Sequence, residues 1–207
     1  MVFDPDCRRC PRLARHLDAV RVSHPAYHAA PVPPFGPQPA RLLIVGLAPG
    51  MHGANATGRP FTGDHAGILL YQTLHAFGFA NQPEATWRDD GLMLHDCRVT
   101  NAVKCLPPQN RPTAAEIRSC NAFLGAEIAT VAPRIILALG RIAHEAVLRA
   151  LDRPLRAHPF AHGAEHDLGS GRTLFDSYHC SRYNTQTRRL TPAMFEELFG
   201  EIRARLS

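Results

Sequence analysis

Nowhere in this 207-residue chain is there an apolar run of the roughly 18 residues that a membrane-crossing helix needs. That removes a helical membrane span from consideration. The opening residues, MVFDPDCRRC, hold no apolar signal core, and a cytoplasmic protein is expected. The phosphate loop G-x-x-x-x-G-K-[ST] is missing. The glycine-rich turn after the first apolar run also lacks GxGxxG spacing, so a nucleoside triphosphate or dinucleotide fits poorly. Arginine greatly outnumbers lysine, and alanine and proline are abundant, which reads as a GC-rich genome before it reads as function. No internal repeat is visible. The net charge of +5 permits a polyanionic partner without requiring one. The length suits one domain, 1–207, with an N-terminal arm over residues 1–40.

What is present is organised around Leu42 to Asp64, LLIVGLAPGMHGANATGRPFTGD. Leu42-Leu43-Ile44-Val45 reads as a buried strand that breaks at Gly46. A loop punctuated by Gly50, Gly53, Gly58 and Gly63 follows, and Asp64 opens an amphipathic helix to about residue 77. Strand, glycine-rich loop, helix is how an open α/β sheet holds a ligand at the carboxyl ends of its strands. The loop offers a cation, an aromatic face and a carboxylate in Arg59, Phe61 and Asp64.

The rest of the chain repeats the alternation. A short helix is expected over 13–22, then a proline-rich stretch that wraps the surface. Strands are expected at 97–103, 134–139 and 172–178. Helices are expected from a Thr113-x-x-Glu116 capping box to about 130, over 141–151, and after Thr191-Pro192. Residues 152–171 read as a loop rich in His, Pro and Gly. The result is a three-layer α/β/α sandwich on a four-stranded, mainly parallel sheet. Four loops gather at one rim, beginning near Gly46, Asn101, Gly140 and His179.

Four groups of residues carry chemistry. Cys7-x2-Cys10, with Cys105 and Cys120, can supply four thiolates to zinc or to a 4Fe–4S cluster. Cys105 and Cys120 can also be buried small hydrophobes, but Cys7 and Cys10, flanked by Arg8, Arg9 and Arg12, are harder to explain as core, which puts ligation modestly ahead. Phe61 can stack on a planar base, worth ~1–3 kcal/mol in single-strand binders. Asp64 is a carboxylate for water or a cation, but by position first of all a helix N-cap. Asn101 carries the donor and acceptor needed to read one edge of a nucleobase. His179 can donate to a developing oxyanion, and Arg182, Arg188 and Arg189 around Tyr183 look like phosphate contacts flanking a wedge. Taken singly, a solvated basic loop is the commoner outcome.

Together and in order, these stretches resemble the uracil-DNA glycosylase superfamily, most closely its type 5, iron–sulfur branch. Gly46-Leu47-Ala48-Pro49-Gly50 is similar to that branch's first motif. Gly58-Arg-Pro-Phe-Thr-Gly-Asp64 is similar to its marker. Thr100-Asn-Ala-Val-Lys-Cys105 is similar to the segment holding a base-reading Asn and a cluster ligand. His179-Cys-Ser-Arg-Tyr-Asn-Thr-Gln-Thr187 is similar to its His-bearing DNA wedge. Two positions depart: Cys180 stands where an aliphatic residue is expected, and Arg188 where Gly is.

The resemblance implies a structural 4Fe–4S cluster on Cys7, Cys10, Cys105 and Cys120. It implies a base pocket of Gly46, Leu47, Phe61 and Asn101, with Asp64 and His179 catalytic. Ser181, Arg182, Tyr183, Asn184 and Arg188 would form the wedge. It also implies excision of uracil, hypoxanthine and other damaged bases from DNA by a monomer acting on the nucleoid, without membrane association. Two rivals remain open: a non-catalytic binder of damaged or single-stranded DNA with this fold, and a zinc hydrolase using the cysteines and some of the 12 histidines.

Overall fold

The computed structural model describes residues 3–207. In chain order the elements are α1 (Pro11–Ser23), β1 (Leu42–Gly46), a single turn α2 (Ala54–Thr57), α3 (His65–Ala76), β2 (Cys97–Asn101), α4 (Ala114–Val131), β3 (Ile135–Leu139), α5 (Arg141–Ala150), β4 (Glu165–Asp167), β5 (Thr173–Ser177), α6 (Arg182–Gln186) and α7 (Pro192–Leu206). The sheet order is β2-β1-β3-β5-β4. The first four strands in that order pair in parallel. Among the described residues no helix is long and apolar enough to cross a membrane.

The sheet therefore has five strands, one more than the alternation of apolar runs predicts. The extra strand, β4, is Glu165-His166-Asp167, antiparallel to β5 at the edge. Three polar residues give no apolar signal, so it reads as loop from sequence. The glycine loop likewise hides α2, whose left-handed exit falls on Gly58 (φ +76°).

β1 and β3 are buried along their whole length because helices cover both faces. On one face Leu42, Ile44, Leu137 and Phe175 pack with Leu70 and Leu74 of α3 and Phe195, Phe199 and Ile202 of α7. On the other, Leu43, Val45, Ile136 and Ala138 meet Leu124 and Ile128 of α4 and Ala146 and Val147 of α5. The Thr113–Glu116 capping box forms and starts α4.

The proline-rich arm does more than wrap the surface. Phe35 and Val99 exchange backbone hydrogen bonds of 2.9 and 2.8 Å, which covers the otherwise open edge of β2. Further back, the Ala29 N–H donates to the Asn55 carbonyl, and the Val32 N–H to that of Lys104. The arm thereby ties the glycine loop to the segment after β2, with Ala29 and Val32 buried.

Candidate functional site

The carboxyl ends of β1, β2, β3 and β5 open into one cavity of about 510 Å³. Its walls include Leu47, Phe61, Asp64, Asn101, Tyr178 and His179. These come from four separate stretches: parallel pairing, with Gly46 in register with Asn101, brings the strand ends to one rim, and the glycine loop folds Phe61 and Asp64 over it.

Phe61 stands at a left-handed φ of +55° and is nearly buried. That conformation costs a non-glycine residue of order 1–3 kcal/mol and is held by its surroundings. The Tyr71 hydroxyl fastens the preceding residue by donating to the Pro60 carbonyl at 2.7 Å. A Cβ on Gly67 would lie 1.8 Å from the Phe61 carbonyl oxygen, so α3 packs against this loop at glycine distance. The ring of Phe61 then lies 6.0 Å from that of His179, at 30°. Gly46 lies beneath: a Cβ there would be 2.5 Å from both Asn101 Oδ1 and Phe61 Cζ.

Asp64 is both cap and wall. Its Oδ1 accepts the Gly67 N–H at 2.9 Å, which starts α3. Its Oδ2 faces Gly53, where an added Cβ would come within 2.6 Å. Burial raises the carboxyl's pKa, partly offset by the backbone N–H groups of Gly67 and Ala66. Burial also pulls His179 down to about 4, so at neutral pH the ring is uncharged and carries one N–H. Asn101 Oδ1 is buried with no hydrogen-bond partner among the described residues. An unpaired buried carbonyl costs ~1–3 kcal/mol, which a ligand donor would recover.

Arg59 is not a ligand-facing cation. It is 4 % exposed and forms a fork with Asp90, at 2.8 and 2.6 Å, while its Nε donates to Thr62. Its role in the loop is structural.

Beyond His179 the chain turns into α6. Ser181 caps it, and the Asn184 amide donates to the His179 carbonyl at 2.8 Å. His65 of α3 meets Thr185 at 3.0 Å and clamps the short helix to the rim. Tyr183 projects with 70 % of its surface exposed, and Arg182 and Arg188 are exposed beside it. Arg188 holds φ +56°, the conformation a glycine takes without strain. Cys180 is fully buried in the core and fills the space an aliphatic side chain would.

The four cysteines of the sequence pattern meet at a second, smaller cavity, together with Leu13, Val103 and Phe123. The Lys104 N–H points at Cys120 Sγ, 3.4 Å away. Burial, then the nearness of Cys120, Cys7 and Cys10, pushes the Cys105 thiol up to about 12. Four sulfurs converging in an apolar shell, with a backbone donor to one of them, fit a group bound by four thiolates. Cys97 and Cys180 lie in the main core instead.

A family description, uracil DNA glycosylase superfamily, matches residues 33–203. The chain belongs to that superfamily. It is 47% identical over 203 residues to a type-5 uracil-DNA glycosylase of Thermus thermophilus, covering 95% of this chain and 92% of that protein. A type-5 uracil-DNA glycosylase of Pyrobaculum aerophilum is 42% identical over 203 residues, 96% of this chain and 88% of its own. Similarity to a type-4 uracil-DNA glycosylase of Archaeoglobus fulgidus is narrower: 34% over 122 residues, 58% of this chain and 54% of that protein. As a member of this superfamily, on its type-5 branch, the chain is a DNA glycosylase, a hydrolase of N-glycosyl bonds.

The glycosylase cavity also has a wall that sequence reasoning missed. Phe160, from the loop before β4, and Tyr178 line it, with Arg141 and Arg189 beside them. Arg141 lies over Phe160 at 5.8 Å and Arg189 over Tyr178 at 4.5 Å. Phe160 sits in a stretch without periodicity and gave no signal, while Arg189 reads from sequence as a phosphate contact instead of part of this wall.

Proposed function

We propose that this chain excises uracil, hypoxanthine and other deaminated bases from DNA, with Asp64 and His179 as the catalytic pair. The observation that carries the reading is the meeting of Phe61, Asp64, Asn101 and His179 in one cavity at the sheet rim. A base inside a duplex cannot reach such a recess, so the nucleotide is flipped out at a cost of roughly a few kcal/mol, less at a U·G mismatch. Tyr183 fills the vacated stack while Ser181, Arg182, Asn184 and Arg188 hold the backbone. Phe61 stacks on the extruded base, and Asn101 reads its edge above Gly46.

The C1′–N bond then breaks through an oxocarbenium-like sugar. The bonding pair leaves with the base, and neutral His179 donates a hydrogen bond to the base carbonyl as charge collects there. A water oxygen adds to C1′, oriented by Asp64, which also stabilises the sugar cation. The water's second proton ends on the departing base. Leu47 presents only hydrocarbon to the base, so it does not reject purines by polarity. This supports hypoxanthine as a substrate besides uracil.

Cys7, Cys10, Cys105 and Cys120 would hold a 4Fe–4S cluster. When bound it would cross-link the arm, the segment after β2 and α4, and would take no part in bond breaking. Absorbance near 400 nm in anaerobically purified protein distinguishes it from zinc, which is d¹⁰ and colourless. The enzyme works as a cytoplasmic monomer on duplex DNA, and on single strands where the flipped state is already available.

The test is base release from uracil- and hypoxanthine-containing duplexes by Asp64→Asn and His179→Gln. Asn keeps the N-cap, so a loss of release separates chemistry from folding. Release falls by ~10²-fold or more in each variant on at least one substrate. Full activity of both variants on both substrates overturns the assignment, and binding without release by the parent enzyme selects the non-catalytic reading.

A further inference from the structure

The histidine-rich stretch after α5 is not used by base excision, yet it builds a buried node on the far side of β5. His144 of α5 and Asp176 of β5 are buried there, and His166 of β4 is half-buried beside them. The side chains of His144, His166 and Asp176 are 2 %, 9 % and 0 % exposed. His144 Nδ1 lies 2.8 Å from Asp176 Oδ1, and His166 Nε2 lies 3.0 Å from Asp176 Oδ2. One ligand-type atom from each of the three residues falls within 4.8 Å of the others.

The second nitrogen of His144 makes this node unusual. His144 Nε2 lies 2.9 Å from the carbonyl oxygen of His158. Both ring nitrogens therefore face acceptors. A neutral imidazole has one N–H, so in either tautomer one of the two contacts sets lone pair against lone pair. A proton or a metal ion must therefore lie on one side. If Nε2–H donates to the His158 carbonyl, the Nδ1 lone pair points at the carboxylate. That is the arrangement of a metal-ligating histidine whose other nitrogen is fixed by a backbone carbonyl.

We propose that His144 Nδ1, His166 Nε2 and the Asp176 carboxylate bind a zinc-class divalent ion. Two imidazoles and one carboxylate are a donor set that Zn²⁺ accepts, with a fourth position left over. Water takes that position, with the His158 ring nearby but outside the 4.8 Å cluster. His158 Nδ1 faces the Pro154 carbonyl at 3.0 Å, and the ring centre is 5.5 Å from that of His166. The ion's role is structural. β4 exposes two of its three residues and gains little from apolar burial. The loop before it carries Phe160, which packs edge-on to His144 at 5.6 Å and lines the glycosylase cavity. A metal joining α5, β4 and β5 holds that wall in place.

The experiment counts zinc and iron per chain by elemental analysis in the parent protein, His166→Gln and His144→Gln, and follows melting temperature with added Zn²⁺. Any zinc at the cysteines is common to all three and cancels. The parent is expected to hold one further equivalent of zinc, with iron unchanged. At a large excess over the dissociation constant, Zn²⁺ raises its melting temperature by about 5–10 °C, and neither variant responds. Equal zinc content and equal response in all three proteins overturn the proposal. So does a ¹⁵N spectrum in saturating Zn²⁺ with both His144 nitrogens protonated, which makes the node an imidazolium–carboxylate pair.

Discussion

Replacing Gly46 by alanine perturbs the pocket directly, because one carbon collides with two of its walls. The added Cβ lies 2.5 Å from Asn101 Oδ1 and 2.5 Å from Phe61 Cζ. Gly46 closes β1, which is hydrogen-bonded to β2 and β3, so the backbone cannot retreat. The two side chains must yield instead, by about 1 Å to regain ordinary contact, and a displacement of that size at a reacting centre costs ~10²-fold in rate. Both side chains border open space in the cavity, so the stability cost stays at the low end of the ~1–3 kcal/mol seen for overpacking. For a chain of this size that is a fall in melting temperature of roughly 2–4 °C. The assay is single-turnover uracil release beside the affinity for undamaged duplex. Release drops ~10²-fold while affinity for undamaged DNA holds, since the proposed wedge on α6 is a separate element. A variant with parental kcat/KM, or one that loses affinity and release equally, refutes the geometry.

Four further outcomes follow from particular residues. Burial keeps His179 near pKa 4 in the fold, whereas the unfolded chain protonates it at about 6.5. Its stabilising share is therefore complete above about pH 6.5 and shrinks as pH falls toward 4. Asp64, whose pKa is raised, works oppositely, stabilising at low pH and losing that share as pH rises through its folded value. Melting curves across this range should slope less steeply in His179→Gln than in the parent, and parallel curves would count against a neutral buried ring. Arg188→Gly relieves a left-handed φ of +56°, and the gain of ~1 kcal/mol should raise the melting temperature by about 2–4 °C; a fall would mean that the arginine side chain holds the loop. Asp90→Ala strands the Arg59 guanidinium, and denaturant unfolding should report a loss of ~3–5 kcal/mol, against under ~1 kcal/mol if the pair behaved as a surface one. Cys105→Ser should abolish absorbance near 400 nm and lower the melting temperature together, and retention of the full spectrum would remove Cys105 from the ligand set.

The strands that carry the rim were legible because parallel strands covered on both faces are continuous apolar runs. LLIV at β1 and IILAL at β3 could hardly be anything else. The cap at Asp64 and the capping box at Thr113 were legible for a related reason: each depends on contacts within one turn of helix. What could not be read were facts set by partners far away in the chain. Arg59 looked like a cation for a ligand until Asp90 closed on it across 31 residues. β4 is a strand only because β5 offers it an edge. The residues of the His144 node are separated by up to 32 positions, with no spacing that marks them.

The same division explains how the site is built. The residues aimed into the cavity follow directly on strand ends, Gly46–Leu47, Asn101, Gly140 and Tyr178–His179, so parallel pairing alone brings them together. Phe61 and Asp64 do not: they sit at the end of a long loop and need Arg59–Asp90 beneath them, Tyr71 behind them and the Gly67 N–H in front. Substitutions beneath the loop should therefore shift activity through Phe61 and Asp64 together, while those on the strands act on one group at a time. Asp90→Ala combined with Asp64→Asn would show it, because the second substitution should cost less release in the Asp90→Ala background than in the parent. Additive losses would mean that the loop holds its shape without the buried pair.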